Sequence, residues 1–216
     1  MKVRVKVCGL TDEAALEAAC EAGADAVGLV LAPSPRRVTL ARARELLRRV
    51  PAGIERVLVF ALARRDELSR ALDLGPDALQ AELGSEWPEL SRGTYALPVL
   101  RDGPHVEAHA AELSRPRSTA ASSLHGALML DGPRGGGRGL PVDLERAARL
   151  ASRHPIVLAG GLTPDNVAAR TCAIRPFAVD ASSGLERTPG VKDPERIRAF
   201  VRAVRRLERE SLEVST

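Results

Sequence analysis

Short apolar runs alternate along this chain with segments whose apolar positions recur every three to four residues. The first pattern reads as strand and the second as amphipathic helix. Val3–Cys8 is a strand, and Thr11 caps a helix through about Ala22. The unit repeats with Ala26–Leu31 and a helix over Leu40–Arg49, then with Arg56–Ala61 and Arg65–Leu72. Ala78–Ala81, with a weak helix over Glu86–Ser91, makes the fourth, and Tyr95–Leu100 is the fifth strand. Arg101–Leu124 is poorly patterned and reads as a long loop or a degenerate fifth helix. Gly126–Leu130 with Asp143–Ser152, Ile156–Ala159 with Pro164–Thr171, and Phe177–Asp180 with Pro194–Glu210 complete the series.

Eight strand–helix alternations predict an α/β protein with a parallel sheet, and eight is the number that closes a (β/α)8 TIM barrel. An open doubly wound sheet would carry a dinucleotide glycine fingerprint after its first strand, and CGLTD is not one. We expect a single barrel domain over residues 1–210 and a frayed tail over 211–216.

Composition sharpens this picture. Of the 216 residues 44% are hydrophobic but only 2% aromatic, so the core must be built from Ala, Val and Leu. The net charge of +4 suits an anionic small-molecule substrate. Nucleic acid is not expected as a partner, because no aromatic residues are interleaved with the basic ones for base stacking. Cys8, Cys20 and Cys172 form neither a zinc nor a disulfide pattern; an odd count without a signal peptide fits the cytoplasm. No apolar stretch is long enough to span a membrane.

In a barrel, chemistry gathers at the C-terminal ends of the strands. Cys8, Asp131 and Asp180 stand at such ends, and Arg36 lies just beyond the second strand. AGGL (159–162) and DASSG (180–184) follow strands seven and eight, where such barrels bind phosphate through backbone N–H groups.

KVCGLTDEAALEAACEAGADAVGLVL, SPRRV, LMLDGPRGGGRGLPVDL, VLAGGLTPDNV and PFAVDASSGLERTPGVKD occur in order along nearly the whole chain. Together they resemble the phosphoribosylanthranilate isomerase family of tryptophan biosynthesis. The resemblance implies a cofactor-free barrel that performs an Amadori rearrangement of a phosphorylated aminosugar. It assigns the general base to Cys8 and the general acid to Asp131. It places Arg36, with Arg37 as the alternative, at the anthranilate carboxylate, and Asp180 at the sugar hydroxyls or the substrate amine. Gln80 is implied as a substrate contact. Gly160, Gly161, Ser182 and Ser183 would bind phosphate, joined by Gly137 and Gly139 of a glycine-rich loop that also carries Arg138.

The match fails at strand four, where the family's Gln-Leu-His-Gly is LQAELGSE here, so Glu82 or Leu83 stands in place of histidine. His105, His109, His125 and His154 read as surface residues. VDL (142–144) stands where Phe-Asp-Trp is common, so the anthranilate ring should meet aliphatic walls. The rival readings are a histidine-pathway-type or dual-substrate phosphoribosyl isomerase, and a non-catalytic phosphosugar-binding barrel. The first uses an aspartate where Cys8 stands. A monomer is the default expectation, with a homodimer left open.

Overall fold

The computed structural model describes residues 2–90, 93–113, 124–134 and 141–213, with backbone alone for the last three positions. Eight parallel strands close into a barrel in chain order. They are β1 (Arg4–Cys8), β2 (Ala26–Val30), β3 (Glu55–Val59), β4 (Ala78–Glu82), β5 (Tyr95–Arg101), β6 (Leu128–Asp131), β7 (Ile156–Leu158) and β8 (Ala178–Ala181). β8 closes the barrel on β1, with Lys6 opposite Asp180 in the ladder. Parallel neighbours need long crossovers, and among the described residues helices supply each of them except that from β4 to β5: α1 (Glu13–Glu21), α2 (Leu40–Leu47), α3 (Arg65–Leu72), α4 (Val106–Leu113), α5 (Leu144–Arg153) and α6 (Val167–Ile174), with α7 (Pro194–Glu213) after β8. Among the described residues no helix is long and apolar enough to cross a membrane.

The period of two along each strand divides the core into two shells. Val3, Val5, Val7, Leu29 and Leu58 face outward beneath the helices. Cys8, Ala26, Val57, Ala78, Leu97, Met129, Val157 and Ala178 fill the barrel interior. Both faces of the sheet are covered, so the strands show no solvent alternation. The small interior residues leave room at the C-terminal mouth for charged side chains. In α7, Ile197, Phe200, Val201 and Val204 are fully buried at helical spacing, and the helix packs against α1 and α6 to close the outer ring.

Several local expectations are corrected. The cap of α1 is Asp12, whose side chain accepts from the Ala15 N–H at 2.9 Å; Thr11 instead donates its hydroxyl hydrogen to the Gly190 carbonyl. Glu86–Leu90 forms no helix, because Pro88 removes an N–H and restricts Trp87 to extended conformations; Ser91 lies outside the described residues. In the poorly patterned stretch, β5 runs on to Arg101 and α4 forms at Val106–Leu113, while 114–123 lie outside the described residues. α6 begins three residues late because Asn166 folds back to accept from the Thr163 N–H and donate to the Gly161 carbonyl, both at 2.9 Å. α7 runs on to Glu213, into the stretch read as tail, and 214–216 lie outside the described residues. A hairpin, β9 (Glu186–Thr188) paired with β10 (Val191–Lys192), had no signature in the apolar pattern.

Candidate active site

The C-terminal mouth of the barrel carries two groups of charged side chains. In β1 the alternation that buries Val3, Val5 and Val7 on the helix side turns Lys6 and Cys8 inward. Lys6 has no exposed side-chain surface, and its Nζ donates to Asp180 Oδ1 of β8 at 2.8 Å. Burial alone would pull the Lys6 ammonium down, but Asp180 and then Cys8 outweigh it and raise its pKa above that of an ordinary lysine. Burial acts on Asp180 as well and keeps its pKa above the usual aspartate value despite Lys6. The pair is ionic nonetheless, since the enclosed ammonium has a carboxylate at contact distance.

Cys8 is buried beside this pair. Burial pushes its thiol up; Lys6 and Lys192 pull down, Asp180 pushes up, and the net shift is upward. The resting group is therefore a thiol held next to two lysines. Gly28 faces Cys8 in the β1–β2 ladder, and a Cβ there would stand 2.9 Å from Cys8 Sγ and 3.2 Å from Lys6 Nζ. The glycine makes the space that this corner needs.

The loop after β2 and the β9–β10 hairpin are joined through Arg36. Its Nε and Nη2 donate to the two oxygens of Glu186 at 2.7 and 2.8 Å, and Lys192 Nζ donates to the same carboxylate at 2.6 Å. Burial resists ionisation of Glu186, yet Arg36 and Lys192 hold its carboxyl below the usual range. Burial lowers Lys192 itself, against the pull of Glu186. Lys192 also bonds the Ser182 carbonyl at 3.0 Å and its hydroxyl at 3.2 Å, which ties the hairpin to the β8 loop. Arg36 thus has one bidentate edge occupied within the protein, while its Nη1 makes no hydrogen bond among the described residues. The Nη1–Nη2 edge can therefore still take an anionic group. Arg37 is exposed and does not line the mouth.

Across the barrel, Arg101 of β5 lies opposite Asp131 of β6 in the ladder. Its Nη1 donates to Asp131 Oδ2 and its Nη2 to Glu82 Oε1 of β4. The second oxygen of Asp131 accepts from the Gly132 N–H at 2.8 Å. These three side chains keep between a fifth and a third of their surface.

Cys8, Arg36 and Asp180 on one side and Glu82, Arg101 and Asp131 on the other line one cavity of about 220 Å³, together with Val30, Val59, Phe60, Val99 and Met129. Cys8, Arg36, Gln80, Asp131, Asp180 and Ser182 all line this cavity. The Gln80 amide is buried, and among the described residues its oxygen has no hydrogen-bond partner, which leaves it able to accept from a ligand. A smaller recess beside the cavity is lined by Gly160, Gly161, Ser182 and Ser183, and shares Asp131 and Asp180 with it. The β7 and β8 loops meet there so closely that a Cβ on Gly184 would stand 2.0 Å from the Leu162 carbonyl oxygen. Gly137, Arg138 and Gly139 lie outside the described residues. A larger hollow of about 670 Å³ collects strand N-termini at the opposite end, where Arg56 and Asp77 are already paired. Among the described residues no cluster of His, Cys, Asp and Glu is arranged to hold a metal ion.

Sequence reasoning missed Lys6, Arg101, Glu186 and Lys192. A signal existed for Lys6, since it stands two residues before Cys8 on an alternating strand and so shares its face. Glu186 and Lys192 gave no such signal, because the hairpin that carries them inward has no apolar alternation.

The model of the N-(5'phosphoribosyl)anthranilate (PRA) isomerase family matches residues 5–203. The chain belongs to this family. An N-(5'-phosphoribosyl)anthranilate isomerase of Bordetella avium is 39% identical, over 96% of this chain and 98% of its own. A solved phosphoribosyl anthranilate isomerase from Thermotoga maritima superposes with a TM-score of 0.80 at 29% identity, covering 94% of this chain and 99% of that one. Another solved isomerase, in complex with reduced 1-(o-carboxyphenylamino)-1-deoxyribulose 5-phosphate, superposes with a TM-score of 0.77 at 27% identity over the same shares.

Proposed function

We propose that this protein isomerises N-(5-phosphoribosyl)anthranilate to 1-(o-carboxyphenylamino)-1-deoxyribulose 5-phosphate, an Amadori rearrangement in tryptophan biosynthesis. The observation that carries this reading is that Cys8 and Asp131 line one cavity from separate strand ends, with a glycine- and serine-lined recess beside them. Family membership narrows the chemistry to the phosphoribosylanthranilate substrate.

The substrate phosphate sits at Gly160, Gly161, Ser182 and Ser183, which line the recess, and the family resemblance adds Gly137 and Gly139 to the phosphate-binding residues. Its anthranilate carboxylate meets the free edge of Arg36, while the ring lies against Val30, Val59, Phe60 and Met129. Asp131 protonates the furanose ring oxygen, the ring opens, and the nitrogen lone pair forms the Schiff base. The thiolate form of Cys8, reached by loss of the thiol proton to solvent and favoured against burial by Lys6 and Lys192, then removes the C2′ proton, and the electron pair of that C–H bond moves toward the nitrogen to give the enolamine. Loss of the hydroxyl proton and protonation at C1′ yield the ketone, so protons balance over the cycle. Asp180 holds a sugar hydroxyl or the amine, and Gln80 accepts a further hydrogen bond. General acid and base steps of this kind contribute about 10²- to 10⁴-fold each, and no cofactor is needed. The enzyme acts in the cytoplasm on a small phosphorylated aminosugar, with a monomer as the default state and a homodimer as the alternative.

The test is the decay of substrate fluorescence on adding purified protein. Turnover by the parent, lost in Cys8→Ala and Asp131→Asn, is the expected outcome. A folded parent that binds a reduced product analogue without turnover would make the molecule a binding barrel. Elution at the volume of a dimer would overturn the monomer assignment.

A further inference from the structure

Asp131 must hold a proton before it can deliver one, yet its Oδ2 faces the guanidinium of Arg101. Its Oδ1 accepts from the Gly132 N–H and its Oδ2 from Arg101, so a proton on Asp131 competes with the Arg101 donor. A bare guanidinium in this place would strip the proton from a carboxylic acid. Arg101 is not bare, because its other terminal nitrogen is bound by Glu82 of the neighbouring strand. Among the described residues, the charged groups that face Asp131 are Arg101 from β5, Glu82 from β4 behind it, and Asp180 from β8, which repels it. The adjoining β7 segment, Ala159–Leu162, carries no charge.

We propose that Glu82 and Arg101 form a positioning pair that sets how firmly Asp131 holds its proton and fixes the orientation of its carboxyl at the cavity wall. Neither residue is a catalytic residue; both act through Asp131. The inference rests on the isomerase reading for its catalytic consequence, but its electrostatic content stands on the geometry alone. Arg101 offers two parallel donors, one for each carboxylate, a role a lysine cannot copy. Glu82 cancels the guanidinium charge, so Asp131 meets a nearly neutral neighbour. The two substitutions therefore have opposite signs. Glu82→Gln leaves Asp131 beside an uncompensated cation, and the proton leaves more readily. Arg101→Met leaves Asp131 facing Glu82 and Asp180 alone, and the proton is held more firmly.

The experiment follows the carboxyl carbon of Asp131 by NMR in protein labelled with ¹³C-aspartate, with Asp131→Asn identifying the signal, beside kcat/KM against pH. We expect its titration to move down by about one pH unit in Glu82→Gln and up by about as much in Arg101→Met. The double variant should return near the parent value. One limb of the kinetic profile should follow the same opposed displacements while the thiol limb stays in place. Arg101→Lys should keep that limb near the parent position but lower kcat several-fold, because the charge survives and the fork does not.

Carboxyl titrations that stay put, or move the same way in both variants of a folded protein, overturn the pair. Titrations that move while both kinetic limbs stay fixed overturn its part in the reaction. A parent without turnover strikes the isomerase reading instead, and the NMR titrations still decide the electrostatics.

Discussion

The two sides of the barrel mouth hold similar charges in different solvents. At the β1–β8 corner the Lys6 side chain is fully enclosed and that of Asp180 is 8% exposed. At the β4–β6 corner Arg101, Glu82 and Asp131 keep 28%, 32% and 22% of their surface. In the dry corner a charge persists only through its partner, so each group is hostage to the other. In the wetter corner water can take over, so partners adjust a proton equilibrium without being needed for folding. The division fits the proposed chemistry. A base must be a thiolate when it acts, and in the corner where burial opposes that form the enclosed Lys6 and Lys192 pull toward it. An acid that is reprotonated in every cycle belongs where water has access.

The largest effect should come from the dry corner. Cys8→Ala should lower kcat about a thousandfold, while a reduced product analogue binds as before in calorimetry. Retained turnover would remove Cys8 from the mechanism and leave the comparison without its functional half.

Stability separates the corners next. Lys6→Met strands the Asp180 carboxylate in the barrel and should cost about 3–5 kcal/mol in urea unfolding. Arg101→Met should cost no more than about 1 kcal/mol. Adding Asp180→Asn to Lys6→Met should recover much of the loss. Equal costs for Lys6 and Arg101 would break the contrast between dry and wet.

The thiol offers a finer probe. Its reaction with iodoacetamide should rise with pH through a midpoint above the ordinary thiol value of 9.0, since burial raises the Cys8 pKa. Asp180→Asn should move that midpoint down, because a repelling carboxylate is gone. A midpoint below 9.0 in the parent would mean that the lysines outweigh burial. The smallest effect is that of Glu186, whose pKa is lowered in the fold by Arg36 and Lys192. Its contribution to stability is complete above the unfolded carboxyl value of about 4.5 and is lost as pH falls through the depressed folded value. Unfolding midpoints measured between pH 7 and 3 should fall less steeply in Glu186→Gln than in the parent.

Much of this molecule was legible in the order of its residues. The eight apolar runs predict the barrel because a parallel sheet covered on both faces leaves near-continuous hydrophobic strands, a signal that depends on no distant contact. Cys8, Asp131, Asp180 and the 160–161 and 182–183 segments could be placed at one face because strand ends in a closed barrel share it. Asp12, Asn166 and Pro88 show where local reading failed. Each decides a boundary through one side chain, and neighbouring positions compete for the same role.

What only the tertiary structure decided is which charges meet. Lys6 in RVKVC reads as solvent-facing until the barrel closes and the polar face of β1 becomes its interior. Arg36 and Glu186 lie 150 residues apart, and only a hairpin folded over the mouth brings the carboxylate to the guanidinium. Glu82, a departure from the expected histidine when read alone, becomes the counter-charge of Arg101 once β4, β5 and β6 lie side by side. Periodicity is a property of neighbours along the chain and survives unfolding as sequence. Ion pairing depends on distance through space, and that distance is set only when the sheet closes.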